Sequence, residues 1–296
     1  MNWVKKRKLL AIEAIQYNRQ PYIKLNDLWN ALHGSFNSAQ SRQLDIDLLD
    51  EIPDEKKYTW FLFSKEKLKH TIEKCNNLSV LGLDKLSWRH IKMIIRNKKC
   101  SSKLIDIANT YINLGHWPSH FKTSTMIVIP KPNKSSYDSS KSFHSIILLN
   151  TIGKLFKKMI GERLWFHLIS NNFIHPCQLD RLKHQSMTDV GIALTYFIQS
   201  KWVKNLSTNM LAYDITQFFP SLNHHLLPLI LDKVGFDLKV LIFFKNYLVG
   251  RKMKYLWNNF SSPSCNGDAS ISQSSALSSF YLLYISPWFF IFWKNI

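Results

Sequence analysis

Short apolar runs punctuate this chain, and the segments between them repeat apolar residues at helical spacing. Each run is too brief for a helix, and the runs occupy residues 126–129, 146–149 and 210–213, while residues 253–257 are also interpreted as a strand. Because apolar runs of four or five residues are typical of buried strands, they predict a small sheet. The chain is therefore expected to combine a few short strands with a larger number of helices.

Candidate capping residues mark where several helices begin. Ser64 precedes a first helical pattern, Asp84 is placed to cap a second, and Ser102 is the candidate cap of a third that ends at Gly115. Later helices are predicted over residues 152–169, 188–203, 226–234, 240–248 and from 277 onward. The apolar residues predicted to face inward are Leu104, Ile107, Ala108 and Tyr111 in the third helix, Leu155, Met159, Leu164 and Leu168 in the next, and Val190, Leu194, Phe197 and Ile198 in the one after it.

The amino-terminal residues 1–44 are predicted to form a basic helical arm. Pro21 and the region around Gly34 are expected to break this arm, because both residue types disfavour a helix interior. Trp29 and Leu32 are spaced to share one helical face.

The net charge is the most unusual feature of the composition. Thirty-nine lysine and arginine residues stand against 20 aspartate and glutamate residues, which gives a formal net charge of +19. Six of the acids lie in residues 45–57, a charged linker, so the remainder is still more basic. This excess favours a polyanionic partner, either nucleic acid or an acidic membrane surface. Aromatic residues make up 14% of the chain, and rings beside cations suit single-stranded nucleic acid, although a basic surface over an aromatic core is the alternative.

The cysteines and the apolar segments bear on the compartment. The four cysteines lie far apart and include no CxxC pair, so neither a zinc ribbon nor a disulfide framework is predicted. The basic amino terminus leads into no secretory segment, and residues 277–293 fall short of a membrane span, so they are interpreted as a core helix. An intracellular location is expected. The basic cluster at residues 5–8 favours the nucleus, and its alternative is a solvated helix face.

A single carboxylate follows the apolar run at residues 210–213. Asp214 stands at the carboxyl end of this predicted strand, where α/β sheets usually place their ligands. Carboxylate oxygens suit Mg²⁺, which binds one or two carboxylates together with substrate phosphates. On its own the pattern is also typical of an ordinary turn or cap residue.

A lysine-bearing loop joins the runs at residues 126–129 and 146–149. Lys131 and Lys134 lie in this loop, and ammonium groups on a loop between two strands can close over a triphosphate. The alternative is a polar connection with surface lysines.

Several short motifs in one order resemble the reverse transcriptase domain of LINE-type (non-LTR) retrotransposons, of the kind abundant in fungal genomes. They span residues 80–287, and residues 1–79 would match the region that precedes the polymerase. The motifs are Gly82-Leu-Asp84, Leu114-Gly-His-Trp117-Pro118, Ile129-Pro-Lys131-Pro-Asn-Lys134, Ser142-Phe-His144-Ser145-Ile146, Leu148-Leu-Asn150 with Gly153-Lys154, Glu162-Arg163-Leu164, Ala212-Tyr-Asp214 and Gln273-Ser-Ser-Ala276-Leu277-Ser278.

The resemblance implies an α+β fold of the right-hand polymerase type. Residues 1–79 would be a basic helical extension, about 80–205 the fingers and about 206–296 a partial palm. The thumb and the second half of the palm are expected to be missing. The implied activity is RNA-directed DNA synthesis on an RNA template and a DNA primer, with deoxynucleoside triphosphates as substrates and Mg²⁺ as cofactor.

The resemblance also assigns roles to individual residues. Asp214 would be the first catalytic and metal-binding carboxylate, and Lys131 the lysine near the incoming triphosphate. Phe219 would be the aromatic gate against a ribose 2′-hydroxyl, although a core phenylalanine beside Phe218 is the alternative. Gln273 would lie against the incoming nucleotide. His144 would occupy a nucleotide-binding position, and Lys154 and Arg163 would occupy nucleic-acid-binding positions.

Departures from the family pattern predict weak chemistry. His144 stands where the family has an arginine, so the bidentate guanidinium grip on the triphosphate is lost, and a largely neutral imidazole does not replace it. Ser274 and Ser279 replace the glycine and proline of the family motifs. No Asp-Asp pair, which would supply the remaining metal ligands, occurs in the sequence. Little or no polymerase activity is therefore expected of what resembles a truncated, degenerate copy.

Two further functions compete with this interpretation. A non-catalytic, basic nucleic-acid-binding module left from a decayed retroelement would hold RNA without chemistry. An interfacial membrane protein would use its basic charge and apolar tail on anionic lipid, but it leaves the ordered motifs unexplained.

Overall fold

A computed structural model of the chain describes residues 15–17, 20–22, 24–36, 58–174, 186–210, 212, 224–257, 260–267 and 277. Its helices are α1 (Leu25–Phe36), α2 (Lys65–Glu73), α3 (Trp88–Ile94), α4 (Lys98–Asn113), α5 (Ser119–Lys122), α6 (Thr151–Ser170), α7 (Met187–Trp202), α8 (Leu226–Lys233) and α9 (Leu238–Leu248). Its strands are β1 (Ile15–Tyr17), β2 (Gln20–Tyr22), β3 (Thr123–Pro130), β4 (Phe143–Leu148), β5 (Lys252–Trp257), β6 (Phe260–Ser261) and β7 (Cys265–Asn266). The prediction of a mixed fold, with few strands and more helices, is confirmed.

The chain divides into two compact units. Met1–Met159 and Phe219–Ser275 form the first, and Ile160–Phe218 with Ala276–Ile296 form the second. All of the described strands belong to the first unit. The boundaries of extension, fingers and palm stay predictions.

Strand β3 lies at the middle of a small mixed sheet. It pairs antiparallel with β4 on one side and parallel with β5 on the other. The short strands β6 and β7 both pair antiparallel with β5. Three of the four predicted strands are therefore confirmed. At the fourth, Met210 and Ala212 are exposed and belong to no strand, and Leu211, Tyr213 and Asp214 lie outside the described residues.

Helix α1 covers the inner face of this sheet. Trp29 and Leu32 are 2% and 1% exposed, and the Trp29 ring stacks on Tyr255 of β5 at a centroid distance of 6.2 Å. The shared face predicted for Trp29 and Leu32 is confirmed. The predicted helical arm is wrong at β1 and β2, where Pro21 lies in a strand rather than in a helix, and α1 continues through Gly34 to Phe36. Burial of one apolar face against the sheet outweighs the low helix propensity of a single glycine.

The Gly82 turn docks on the start of α6. The Thr151 amide donates to the Asp84 carboxylate at 2.5 Å, and the Thr151 hydroxyl donates to the Leu86 carbonyl at 2.6 Å. A Cβ atom on Gly82 would collide with the Leu149 carbonyl oxygen. The prediction that Asp84 caps the helix following it is wrong, since Asp84 serves α6 across the fold.

Helices α3 and α4 begin at caps that differ from the predicted ones. Ser87 and His90 form a capping box at the start of α3. Asn97 caps α4 by accepting from the Lys99 amide at 2.9 Å, whereas Ser102 lies inside the helix, with its hydroxyl donating to the Lys98 carbonyl. Serine and asparagine have similar preferences for the N-cap position. The sequence alone therefore does not identify which of several neighbouring candidates caps a helix.

The buried faces of the helices confirm some predictions and overturn others. In α4 the buried residues are Ile105, Ala108 and Ile112, so the inward stripe lies beside the predicted one and Ile107 is 39% exposed. The inward face predicted for α6 is confirmed, because Leu155, Met159, Leu164 and Leu168 are all fully buried. Helix α7 is confirmed as a helix, but none of its residues is buried. Among the described residues, no helix combines the length and hydrophobicity needed to cross a membrane.

Candidate nucleic-acid interface

Successive side chains of strand β5 point alternately to the buried face and to the outer face of the sheet. Met253, Tyr255 and Trp257 point inward and are buried, whereas Lys252 and Lys254 are exposed on the opposite side. A strand places successive side chains on opposite faces, so residues two apart share a face about 7 Å apart. The two lysines therefore form a short cationic row.

The neighbouring strand β3 places further side chains beside these two lysines. Thr123 pairs with Lys252, and Thr125 pairs with Lys254, so two half-buried hydroxyl residues stand beside the two lysines. Farther along, Ile127 lies between Leu256 and Ile146, and the three form a half-buried apolar strip. We call this surface, made of Thr123, Thr125, Ile127, Ile146, Leu148, Lys252, Lys254 and Leu256, the outer face. No residue of β3, β4 or β5 is acidic.

A structured loop closes the end of the β3–β4 hairpin. The Lys131 amide donates to the Ser142 carbonyl at 2.8 Å, and the Tyr137 hydroxyl donates to the Lys131 carbonyl at 2.7 Å. The Ser142 hydroxyl donates to the Ser136 carbonyl at 2.8 Å, which folds the loop back on itself. These bonds fix the backbone that carries Lys131, while its side chain stays partly exposed.

The hairpin brings Lys131 near His144. His144 pairs with Ile129 across the hairpin, two residues before Lys131. Partial burial and the charge of Lys131 lower the pKa of the His144 imidazole. Because the imidazole is already largely neutral near pH 7, a lowered pKa leaves it an uncharged hydrogen-bonding group beside the lysine.

The remaining predicted contacts are placed differently. The Lys154 ammonium donates to the Val80 carbonyl at 3.1 Å. Burial lowers the pKa of Lys154, and the nearby Asp84 carboxylate opposes that shift. Lys154 thus ties the Gly82 turn to α6, a structural role beside its predicted one. Arg163 is half-buried on α6 in the second unit.

The predicted metal site lies largely outside the described residues. Asp214, Phe219 and Gln273 are all outside them, so their predicted roles stay predictions. Within the described part, no group of three or more histidine, cysteine, aspartate or glutamate side chains could hold a metal ion. The described carboxylate at Asp84 is engaged as a helix cap.

Two features of the first unit were missed at the sequence level. Lys252 and Lys254 alternate with apolar residues, and this two-residue period was visible in the run at 253–257. Lys157 and Arg251 are buried, at 2% and 6% exposure, although neither belongs to an apolar run. Their approach to one Tyr247 ring depends on tertiary packing, for which the sequence carries no local signal.

Comparison with known proteins found no matching family model and no similar curated protein. The reverse transcriptase resemblance is therefore carried by the motifs alone.

Proposed function

We propose that this chain is a nucleic-acid-binding domain of the reverse transcriptase type, which holds an RNA or single-stranded DNA backbone on the outer face. The supporting observation is the row of Lys252 and Lys254 beside Thr123 and Thr125 on strands without an acidic residue. Lysine ammonium groups bind phosphates as point charges, and threonine hydroxyls can donate to phosphate oxygens. The ordered motifs and the net charge of +19 add support.

The chemistry of the outer face favours binding without sequence preference. Its polar groups suit phosphate contacts, which position a strand but carry no sequence information. Ile127, Ile146 and Leu256 offer apolar contact, but none of the eight residues that define the outer face has an aromatic ring that could stack on bases. Affinity should therefore depend strongly on salt and weakly on base composition.

A binding assay with paired variants tests this function. Wild-type protein and the variant Lys252→Gln/Lys254→Gln would be titrated with a labelled single-stranded RNA over a series of salt concentrations. Each lost phosphate contact should reduce the slope of log affinity against log salt by about 1, so the double variant should lose about 2. Several RNA sequences should lose affinity to the same extent.

The matched control is Lys98→Gln/Lys99→Gln, which removes two exposed lysines from the start of α4 in the same unit. Equal losses in both double variants would mean that the net charge, rather than the outer face, determines binding. Binding to anionic vesicles in preference to RNA would support the membrane alternative.

Polymerase activity is the second candidate function, and the proximity of Lys131 to His144 in a backbone-fixed loop favours it. In this role Lys131 would contact the triphosphate, Asp214 would bind Mg²⁺, Phe219 would select against ribose and Gln273 would lie against the nucleotide. Bound Mg²⁺ would activate the primer hydroxyl and stabilise the leaving pyrophosphate. We expect little or no activity, because a neutral His144 gives no bidentate grip on the triphosphate.

Primer extension on an RNA template, with Mg²⁺ and deoxynucleoside triphosphates, tests this candidate beside an Asp214→Ala variant. RNA binding without extension is the expected result. Extension that disappears in Asp214→Ala would establish polymerase activity and contradict the expectation of a degenerate copy.

A further inference from the structure

A cavity of about 410 Å³ lies between the start of α8 and the end of α9 in the first unit. Three of its lining residues carry basic side chains, namely His224, His225 and Lys245. Pro228 and Leu248 contribute to an apolar wall. The cavity uses none of the residues of the outer face, so it is a separate feature of this unit.

The charge around the cavity favours an anion. No acidic residue is among the described residues that line it. The acid preceding α9, Asp237, is already engaged, because it caps that helix and lies 3.8 Å from the Lys239 ammonium. Gly250, with a φ of +68°, forms part of the wall without a side chain, which leaves room beside Lys245.

The backbone at the start of α8 adds to this potential. His225 is the N-cap residue of α8, and its side chain makes no capping hydrogen bond to the helix. The first amides of a helix point outward along the axis and carry partial positive charge, which attracts anions. Pro228, in the first turn, places an apolar ring at the same end of the helix.

The size of the cavity indicates an organic anion rather than a bare ion. Its volume of about 410 Å³ lies within the roughly 300–1,000 Å³ typical of pockets that bind organic ligands. Lys245 supplies a full positive charge, and imidazole N–H groups of the two histidines can donate to an anion, so this lining suits the several oxygens of a phosphate monoester. The apolar wall suits the body of the molecule that carries the phosphate.

We propose that this cavity binds a phosphate monoester, with the phosphate near Lys245 and the histidines and the organic part against Pro228 and Leu248. The phosphate can belong to a free mononucleotide or to the 5′ end of a nucleic-acid strand. This inference does not rest on the proposed outer-face function, since the two surfaces share no residue.

Calorimetric titration of the full chain tests the inference with three probes, adenosine 5′-monophosphate, adenosine and inorganic phosphate. The monophosphate should bind more tightly than either of the other two. Lys245→Gln should weaken it about tenfold or more, since a hydrogen bond to a charged group is worth about 1.5–3 kcal/mol. The matched control Lys239→Gln, on the same helix but away from the cavity, should change affinity less than about twofold, which corresponds to well under 1 kcal/mol.

Oligonucleotides distinguish the two sources of the phosphate. If the protein prefers 5′-phosphorylated to 5′-hydroxyl RNA and Lys245→Gln abolishes that preference, the site binds strand ends. If the protein binds the monophosphate but shows no such preference among RNAs, the site binds mononucleotides. Equal binding of adenosine and its monophosphate, or equal loss in both lysine variants with unchanged circular dichroism, would overturn the inference. Binding of unphosphorylated RNA should be unaffected by Lys245→Gln, so a failure here does not count against the outer face.

Discussion

Two buried cations face one aromatic ring in the first unit. The Lys157 ammonium lies 5.1 Å from the Tyr247 ring centroid, and the Arg251 guanidinium carbon lies 5.4 Å from it. The ring faces attract both cations, but a nitrogen of Arg251, Nη1, is buried without a hydrogen-bond partner. Burial lowers the pKa of Lys157, and the charge of Arg251 lowers it further, although contact with Tyr247 opposes these effects. A buried charge without an ionised acid as partner is costly, so this pair should reduce stability.

Replacing Lys157 with methionine should therefore stabilise the protein. Lys157→Met keeps an unbranched side chain of similar length and removes the buried charge, and we expect a gain of about 1–3 kcal/mol in the free energy of unfolding. Urea unfolding measures this gain. As a control, Lys158→Met should give no gain, because the Lys158 ammonium contacts Cys75 Sγ at 3.3 Å and lies 5.5 Å from the Trp88 ring centroid.

The same lysine should make stability depend on pH in the alkaline range. Its pKa is lowered in the folded state, so between that lowered value and about 10.4 the unfolded state binds more protons. The free energy of unfolding contributed by Lys157 therefore rises with pH over this window. Urea unfolding at a series of pH values up to about 10.4 should show a rise in the wild type that Lys157→Met lacks. The same slope in both proteins would refute the assignment to Lys157.

At the scale of elements, the Gly82 turn and helix α7 contain glycines in opposite surroundings. A Cβ on Gly82 would collide with the Leu149 carbonyl oxygen, whereas a Cβ on Gly191, inside α7, would meet nothing within 4 Å. The turn brings Asp84 onto the start of α6, so displacement of its backbone would also disturb that cap.

Alanine at these two glycines should thus have effects of opposite sign. Gly82→Ala should destabilise by about 2 kcal/mol or more through overpacking. Gly191→Ala should stabilise by about 0.5–1 kcal/mol through helix propensity. Thermal or urea unfolding of both variants gives the comparison, and a neutral Gly82→Ala would contradict the close approach of the turn.

The same elements explain which parts of the fold were predictable. Strands β3, β4 and β5 and helix α6 were predicted well because their apolar residues repeat locally, as in Leu155 and Met159. The hydrogen-bond partner of Asp84 was not predicted, because Thr151 is 67 residues away and no local pattern encodes that bond. In the candidate interface, Lys131 and His144 were found through motifs, whereas Lys252 and Lys254 become a surface only when β5 pairs with β3.

At the scale of the whole molecule, α7 carries large apolar side chains that contribute little burial to the second unit. Ile192 and Tyr196 are 63% and 74% exposed on this helix. The periodicity of the sequence predicted an apolar face on this helix, but periodicity does not show which residues pack against that face. None of the described α7 residues is buried. The high net positive charge works against association through such a surface, since like charges repel.

Polar substitution on α7 should leave stability unchanged while lowering self-association. Ile192→Gln/Tyr196→Gln should shift the free energy of unfolding by no more than about 0.5 kcal/mol, as expected for exposed positions. Light scattering at high salt, where charge repulsion is screened, should fall relative to the wild type. A large loss of stability would show that the exposed face supports the fold.

The parallel pairing of β3 with β5 determines when, during synthesis of the chain, this part of the sheet can form. Ser124 and Lys252, joined by a hydrogen bond between the two strands, are 128 residues apart in the chain. Contacts of such sequence separation form late, after a large loop has closed. A growing polypeptide on the ribosome therefore carries the threonines of β3 long before their lysine neighbours exist. The outer face can form only once β5 has emerged, so the proposed RNA binding through it requires that β5 has been synthesised and has paired with β3.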